Sequence, residues 1–420
     1  MMSGRFFRIV ASPALPAELS QNMPPVLWTF APQSSEPAGA VALWGECFDS
    51  GEKLALASID ARGQLVVHFD VSGTIQGILR EDYHQGFEPT AEMRLPFNYS
   101  RLPCWVKSLG RRLRSSSIAQ PPEIPFPDLA LPYIVSWLKR FSQLASSGAP
   151  DGKNVSAATA TKWPAGNQAA LVITHDVDTD WIFRHTSWLN RICQLEERFG
   201  LRGAWYCVPW NSRNRAGEAG MRALQERGCE LGCHGYNHDA KFPLLTGKAF
   251  QKRMDYVKHF GDRWQMRGFR SEWLYRTPEF LTAIAAHFDY DSSVPAVNPL
   301  FSRRTFNGCG SCLPYQTHGG LWEIPLSVPM DEDRHLLGGD DSVFWSQLVE
   351  RAEQVIDYGG LVVMTLHPQP HQMANERVFG QVEMVLERIA TRSGLWLARP
   401  AEVIDWMQSA SLRNGSHESL

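Results

Sequence analysis

From Trp163 onward the sequence alternates short apolar runs with longer amphipathic ones, and this alternation restricts the fold more than any other feature. Residues 169–174, 204–208, 230–233 and 361–366 are too short for helices and nearly continuous in apolar character, the mark of strands covered on both faces. Helical spacing over 182–199, 221–226, 248–260, 278–287, 342–357 and 381–389 supplies the crossovers that a parallel sheet requires. An α/β unit with a mainly parallel sheet is expected over 163–410.

The first part of the chain has a different texture. Residues 53–59 and 64–71 alternate or run apolar between Arg62-Gly63 and Ser72-Gly73, which reads as short strands with turns. Residues 121–132 are too proline-rich for a regular helix, whereas Ile134, Leu138 and Phe141 repeat at helical spacing. Small and polar residues dominate 146–162, the composition of a linker. The expected organisation is a β-rich accessory domain over 1–145, a linker over 146–162, the α/β domain over 163–410 and a flexible tail over 411–420. A chain of 420 residues has room for two such domains.

Composition narrows the partners. A formal net charge of -3 lacks the basic excess of a nucleic-acid binder. No window approaches the roughly 20 apolar residues of a membrane-spanning helix. Residues 1–19 are interrupted by arginine, serine and proline, so no signal peptide is expected and a cytoplasmic location is. Eight cysteines scattered over this length suggest reduced thiols rather than a disulfide scaffold. Cys309-Gly-Ser-Cys312 has no second CxxC at zinc-finger spacing.

The chemistry gathers where strands end, which is where open sheets and α/β barrels build their sites. The strand at 169–174 runs into His175-Asp176-Val177-Asp178, and in an extended segment two residues two apart face the same side. One of these aspartates can equally cap the following helix. A second strand ends in His234-Gly-Tyr-Asn-His238, and histidines four apart face one metal when they lie on a helical turn. A third ends in His367-Pro368. Two histidines and one carboxylate with open positions suit a hydrolytic metal, which must keep room for water.

Taken together these segments resemble the polysaccharide deacetylases of the NodB-homology type, carbohydrate esterase family four. Thr174-His-Asp-Val-Asp178 is similar to an Asp-x-Asp form of the first family motif, and His234–His238 to the second, with glycine in place of the usual hydroxyl residue. Gly268-Phe-Arg270, residues 289–294 and residues 364–368 stand in the order of the remaining three. The third departs from the family pattern: Ser271 and Glu272 stand where a proline and an aromatic are usual.

The resemblance implies a distorted (β/α) barrel and hydrolysis of an N-acyl group, N-acetyl or N-formyl, from a saccharide or glycoconjugate. It implies Asp178, His234 and His238 as metal ligands, Asp176 as general base, His367 as general acid and Arg270 as the residue that keeps Asp176 ionised. The inserted Val177 leaves the roles of the two aspartates exchangeable. The metal implied is divalent, zinc first, with cobalt, nickel or manganese as alternatives.

Trp273, Tyr275 and Trp210 are candidates to stack on sugar rings, and Glu323 to line the cleft, each against an equally good reading as core. The cationic, apolar-interleaved segment 105–114 suggests peripheral contact with an anionic membrane or a lipid-linked substrate, against a plain solvated face. Two other functions fit the same residues: hydrolysis of cyclic amides or ureides, and saccharide binding without catalysis. A pure binder has no need of a base and an acid placed together.

Overall fold

The computed structural model describes residues 4–20, 23–30, 39–83, 133–147, 163–296, 308–335 and 341–413. The segments 105–114 and 121–132, most of the expected linker and the end of the tail lie outside them.

Two compact units form, one from residues 1–85, 121–160 and 295–311, the other from 86–120, 161–294 and 312–420. In the first, β1 (Gly4–Ala11), β2 (Val26–Phe30), β3 (Ala40–Cys47), β4 (Lys53–Ile59) and β5 (Leu65–Val67) pair antiparallel in the order β2-β1-β3-β4-β5. The Ser72-Gly73 break falls instead inside a helix, Val71–Leu79, because the Asp70 carboxylate accepts from the Gly73 amide and starts a turn there. The helix Ile134–Ser147 buries Trp137 and Phe141, whose rings stack at 5.2 Å, and Trp137 donates its indole N–H to the Leu19 carbonyl. Residues 308–311 belong with this unit, although 163–410 was expected as one domain. The Gly308 amide donates to the Glu81 carboxylate at 2.6 Å, and the Val135 amide to the Gly310 carbonyl at 3.0 Å.

The second unit is the expected α/β architecture. Its strands are β6 (Ala169–Val177), β7 (Ala204–Cys207), β8 (Glu230–His234), β9 (Gly268–Arg270), β10 (Tyr290–Asp291), β11 (Tyr315–Gln316), β12 (Trp322–Glu323), β13 (Leu361–Leu366) and β14 (Leu395–Leu397). The sheet runs β11-β12-β10-β9-β8-β7-β6-β13, parallel except for β11, and its path does not close among the described residues. β14 pairs with the N-terminal half of β6 and β7 with its C-terminal half. β6 is therefore bonded along both edges, and all nine of its residues are buried. That explains why it reads as an unbroken apolar run rather than as alternation.

The long helix expected over 182–199 is two pieces, Trp181–Arg184 and Thr186–Arg198, parted at His185, whose ring stacks on Trp181 at 3.9 Å. The last helix, Pro400–Arg413, continues past the expected start of the tail at 411. No helix among the described residues is long and apolar enough to cross a membrane.

Candidate metal centre

Parallel register brings the motifs to one edge. Asp176 is paired with Tyr206, and His234 with Arg270, at the carboxyl ends of β6, β7, β8 and β9. Leu366 pairs with His175, so His367 leaves β13 level with Asp176.

Asp178, His234 and His238 each present one ligand atom, all within 4.8 Å of one another. Asp178 Oδ1 lies 3.4 Å from His234 Nε2 and 3.0 Å from His238 Nε2. Ligand atoms about 2.1 Å from a tetrahedral ion stand about 3.4 Å apart, so this spacing fits a shared cation. The same Oδ1 is buried and accepts no hydrogen bond, an orphaned lone pair between two imidazoles. His234 Nδ1 lies 3.0 Å from the Arg270 carbonyl; donation there fixes the tautomer and leaves Nε2 as a lone-pair donor toward Asp178. The residues present therefore fit a divalent cation held by one oxygen and two nitrogens.

Supporting contacts fix Asp178 itself. Gln369 Nε2 donates to its Oδ2 at 2.7 Å and Asn211 Nδ2 to its carbonyl at 2.6 Å. Burial favours its proton, but the two histidines beside it hold the carboxyl well below the usual range. Burial draws His238 down, yet the adjacent Asp178 carboxylate wins and raises it to about 9.

The histidine pair does not lie on a helical turn. After β8 the chain passes through Gly235 and His238, both with φ of 60°, in the left-handed region that is rare for a side-chain-bearing residue. Glu272 holds this path: its Oε1 accepts the amides of Tyr236, Asn237 and His238 at 2.7, 2.8 and 2.5 Å, and its Oε2 that of Ala240 at 2.6 Å. A Cβ on Gly235 would overlap the Glu272 side chain. Glycine at 235 thus leaves the space through which the Glu272 side chain reaches these amides.

Asp176 faces the same space, its Oδ2 4.0 Å from His234 Nε2, but its other oxygen is committed to Arg270 Nη1 at 2.7 Å. Arg270 is fully buried and also bonds Thr174 Oγ1, Ser292 O and Ser292 Oγ, with its guanidinium 4.3 Å over the Tyr206 ring. Burial would raise Asp176, but the Arg270 charge together with those of His234 and His367 offsets it and lowers the pKa. On the far side His367 Nδ1 lies 2.6 Å from Asp331 Oδ1, while Asp331 Oδ2 accepts the His367 amide at 2.9 Å. Burial pulls His367 down, and the buried Asp331 carboxylate raises it well above the ordinary imidazole value. Asp331, Glu272, Gln369 and Asn211 were not among the residues expected from sequence. Only Glu272 had left a trace there, as an unexplained charge in an apolar motif.

The remaining expected residues separate. Trp273 is 36% exposed, its ring 6.4 Å from that of His238. Tyr275 is not a surface for sugar stacking: it is 5% exposed and packs on Ala240 and Leu244. Glu323 does not line the cleft either. It is fully buried, hydrogen-bonded to Asp291, and accepts the Val294 amide at 2.9 Å. Burial and the Asp291 charge push its carboxyl well above the usual range. The seven described cysteines are all buried.

No protein-family model matches the chain, and no curated protein does. Solved structures do match. One described as a polysaccharide deacetylase of Mycobacterium smegmatis is 15% identical, with 59% of this chain and 93% of that one covered at a TM-score of 0.44. An allantoinase is 13% identical, with coverage of 59% and 92% and a TM-score of 0.47. The peptidoglycan deacetylase PdaC of Bacillus subtilis is 10% identical, with coverage of 59% and 96% and a TM-score of 0.38. Polysaccharide deacetylases are thus among the proteins this chain is similar to.

Proposed function

We infer that this protein is a metal-dependent hydrolase that removes an N-acyl group, N-acetyl first, from an amino sugar in a saccharide or glycoconjugate. One observation carries the reading: beside a donor set for a single cation stand a carboxylate paired with a buried arginine, Asp176 with Arg270 at 2.7 Å, and an imidazole paired with a buried carboxylate, His367 with Asp331 at 2.6 Å.

Asp178, His234 and His238 would hold a divalent cation, zinc first for such a donor set and cobalt, nickel or manganese as alternatives, which when bound would supply Lewis-acid polarisation of the acyl carbonyl and a more acidic water. Asp176 accepts the proton of the attacking water, since Arg270 keeps its free oxygen anionic. The water oxygen forms a bond to the acyl carbon and the carbon–nitrogen bond breaks. His367 gives its proton to the departing amine, with Asp331 aiming Nε2 by holding Nδ1. The proton on Asp176 leaves to solvent and His367 is reprotonated, which restores both groups. Asp178 is the ligand in this reading and Asp176 the base, a division supported by Asp178 Oδ1 lying 3.4 and 3.0 Å from the two imidazole Nε2 atoms while Asp176 comes only within 4.0 Å of one. Trp273, exposed beside His238, is the aromatic that meets the sugar ring. A cytoplasmic saccharide under assembly belongs to the same reading.

The test is acetate and formate release from a panel of N-acetylated and N-formylated saccharides and cyclic ureides, with and without chelator. Chelator-sensitive release from saccharides is expected, and Asp176→Asn should slow it by about a hundredfold to ten-thousandfold. Release from ureides alone, or wild-type turnover in Asp176→Asn, overturns the reading.

A further inference from the structure

Three half-buried aromatic rings cluster on segments that flank the metal ligands in the chain. Tyr236 lies between His234 and His238 in sequence, Trp210 follows β7, and Tyr256 comes from the helix Gly247–Trp264. Their centroids lie 5.5 Å (Tyr236–Tyr256), 5.8 Å (Trp210–Tyr236) and 6.1 Å (Trp210–Tyr256) apart, and all three are only half-buried. The shelf is joined to the centre twice: the Trp210 amide donates to the Tyr236 carbonyl at 3.0 Å, and the neighbouring Asn211 holds the Asp178 carbonyl.

Two arginines bracket the shelf, and they differ. Arg253 lies 4.8 Å from the Tyr236 ring, but its charge is matched by a two-pronged pair with Asp239, both bonds 2.7 Å. Arg213 lies 3.4 Å from the Trp210 ring, is exposed, and spends one N–H on the Trp210 carbonyl. It pairs with no carboxylate among the described residues. The shelf therefore presents apolar ring faces, phenol hydroxyls and one uncompensated cation.

We propose that Trp210, Tyr236, Tyr256 and Arg213 form a subsite for a uronic acid residue adjoining the acylated amino sugar. The C–H face of a pyranose stacks on the rings, and the guanidinium takes a carboxylate by parallel N–H bonds. One guanidinium with no carboxylate partner among the described residues suits a single carboxylate taken by parallel N–H bonds. The proposal rests on the reading of the adjacent centre as a saccharide site.

The probes are hyaluronan tetrasaccharide, in which glucuronate alternates with N-acetylglucosamine, and the neutral chitotetraose. Binding is measured by calorimetry on the full-length Asp176→Asn chain loaded with metal, so that neither probe is consumed. Hyaluronan should bind about tenfold tighter or more, the margin should shrink with salt, and Arg213→Gln should remove it while leaving chitotetraose affinity unchanged. Trp210→Phe should preserve the preference. Equal affinities, a preference intact in Arg213→Gln, or tighter binding of glucose 6-phosphate than of glucuronate each overturn the subsite. Acetate release without the preference refutes this proposal alone; the preference without any acyl release refutes the hydrolase reading and leaves the subsite standing.

Discussion

Asp331 grips His367 twice, through Nδ1 at 2.6 Å and through the backbone amide at 2.9 Å, so one buried carboxylate sets both the charge and the direction of the ring. With His367 as the proposed acid, activity should persist through neutral pH and fall only once pH exceeds the raised His367 value. On the acid side Asp176, lowered by Arg270, should stay ionised below the ordinary carboxylate value of about 4. Asp331→Asn should move the alkaline limb of the pH–rate profile down toward about 6.5. An alkaline limb that stays put in that variant would show that Asp331 does not set the charge of His367.

Metal should report on stability as well as on turnover. A cation present at a hundred times its dissociation constant stabilises the fold by about 2.7 kcal/mol, so chelator should lower the melting temperature of the wild type. His234→Ala and His238→Ala should lose stoichiometric metal in elemental analysis and show no further drop with chelator. Full occupancy in either variant removes that histidine from the ligand set.

Glu272 touches no ligand atom, yet its loss should be felt by the metal. Glu272→Ala frees the four amides of the His238 loop and should weaken metal affinity by about ten- to a hundredfold. Glu272→Gln, which keeps one oxygen acceptor, should fall between. Competition titration with a chromophoric chelator measures this, and an unchanged affinity in Glu272→Ala would reduce Glu272 to a packing role.

The buried Asp291–Glu323 pair predicts a stability effect without a substrate effect. Its raised carboxyl contributes fully below the unfolded value and loses its contribution as pH rises through the folded one. Glu323→Gln, permanently neutral, should flatten the alkaline decline in denaturant stability and leave KM for saccharides unchanged. Equal slopes for the two proteins, or a large KM change, would contradict this placement.

What the sequence disclosed followed from where strands end. Asp176, His234 and His367 stand at or just past the ends of apolar strands legible in the sequence, and parallel register aligns such positions, whereas Arg270 ends a three-residue strand and is recognisable only through the motif resemblance. The residues that hold them were hidden because their contacts span the chain at no regular interval. Asp331 reaches His367 across 36 residues from a 3-10 turn, Asp331–His335, that has no apolar period to announce it. Glu272 likewise acts 34 residues back, on His238. Tyr275 and Glu323 misled for the converse reason: residue type and proximity in sequence to a motif say nothing about which way a side chain turns when the local structure is a 3-10 turn or a two-residue strand.

The passage of the Glu272 side chain over Gly235 also bears on how this sequence can drift. Serine or threonine at 235 meets the carboxylate, and a shorter side chain at 272 abandons four amides, so either change alone carries a penalty that the other would relieve. Descendants of this chain should therefore hold glycine at 235 and glutamate at 272 as a pair, or neither.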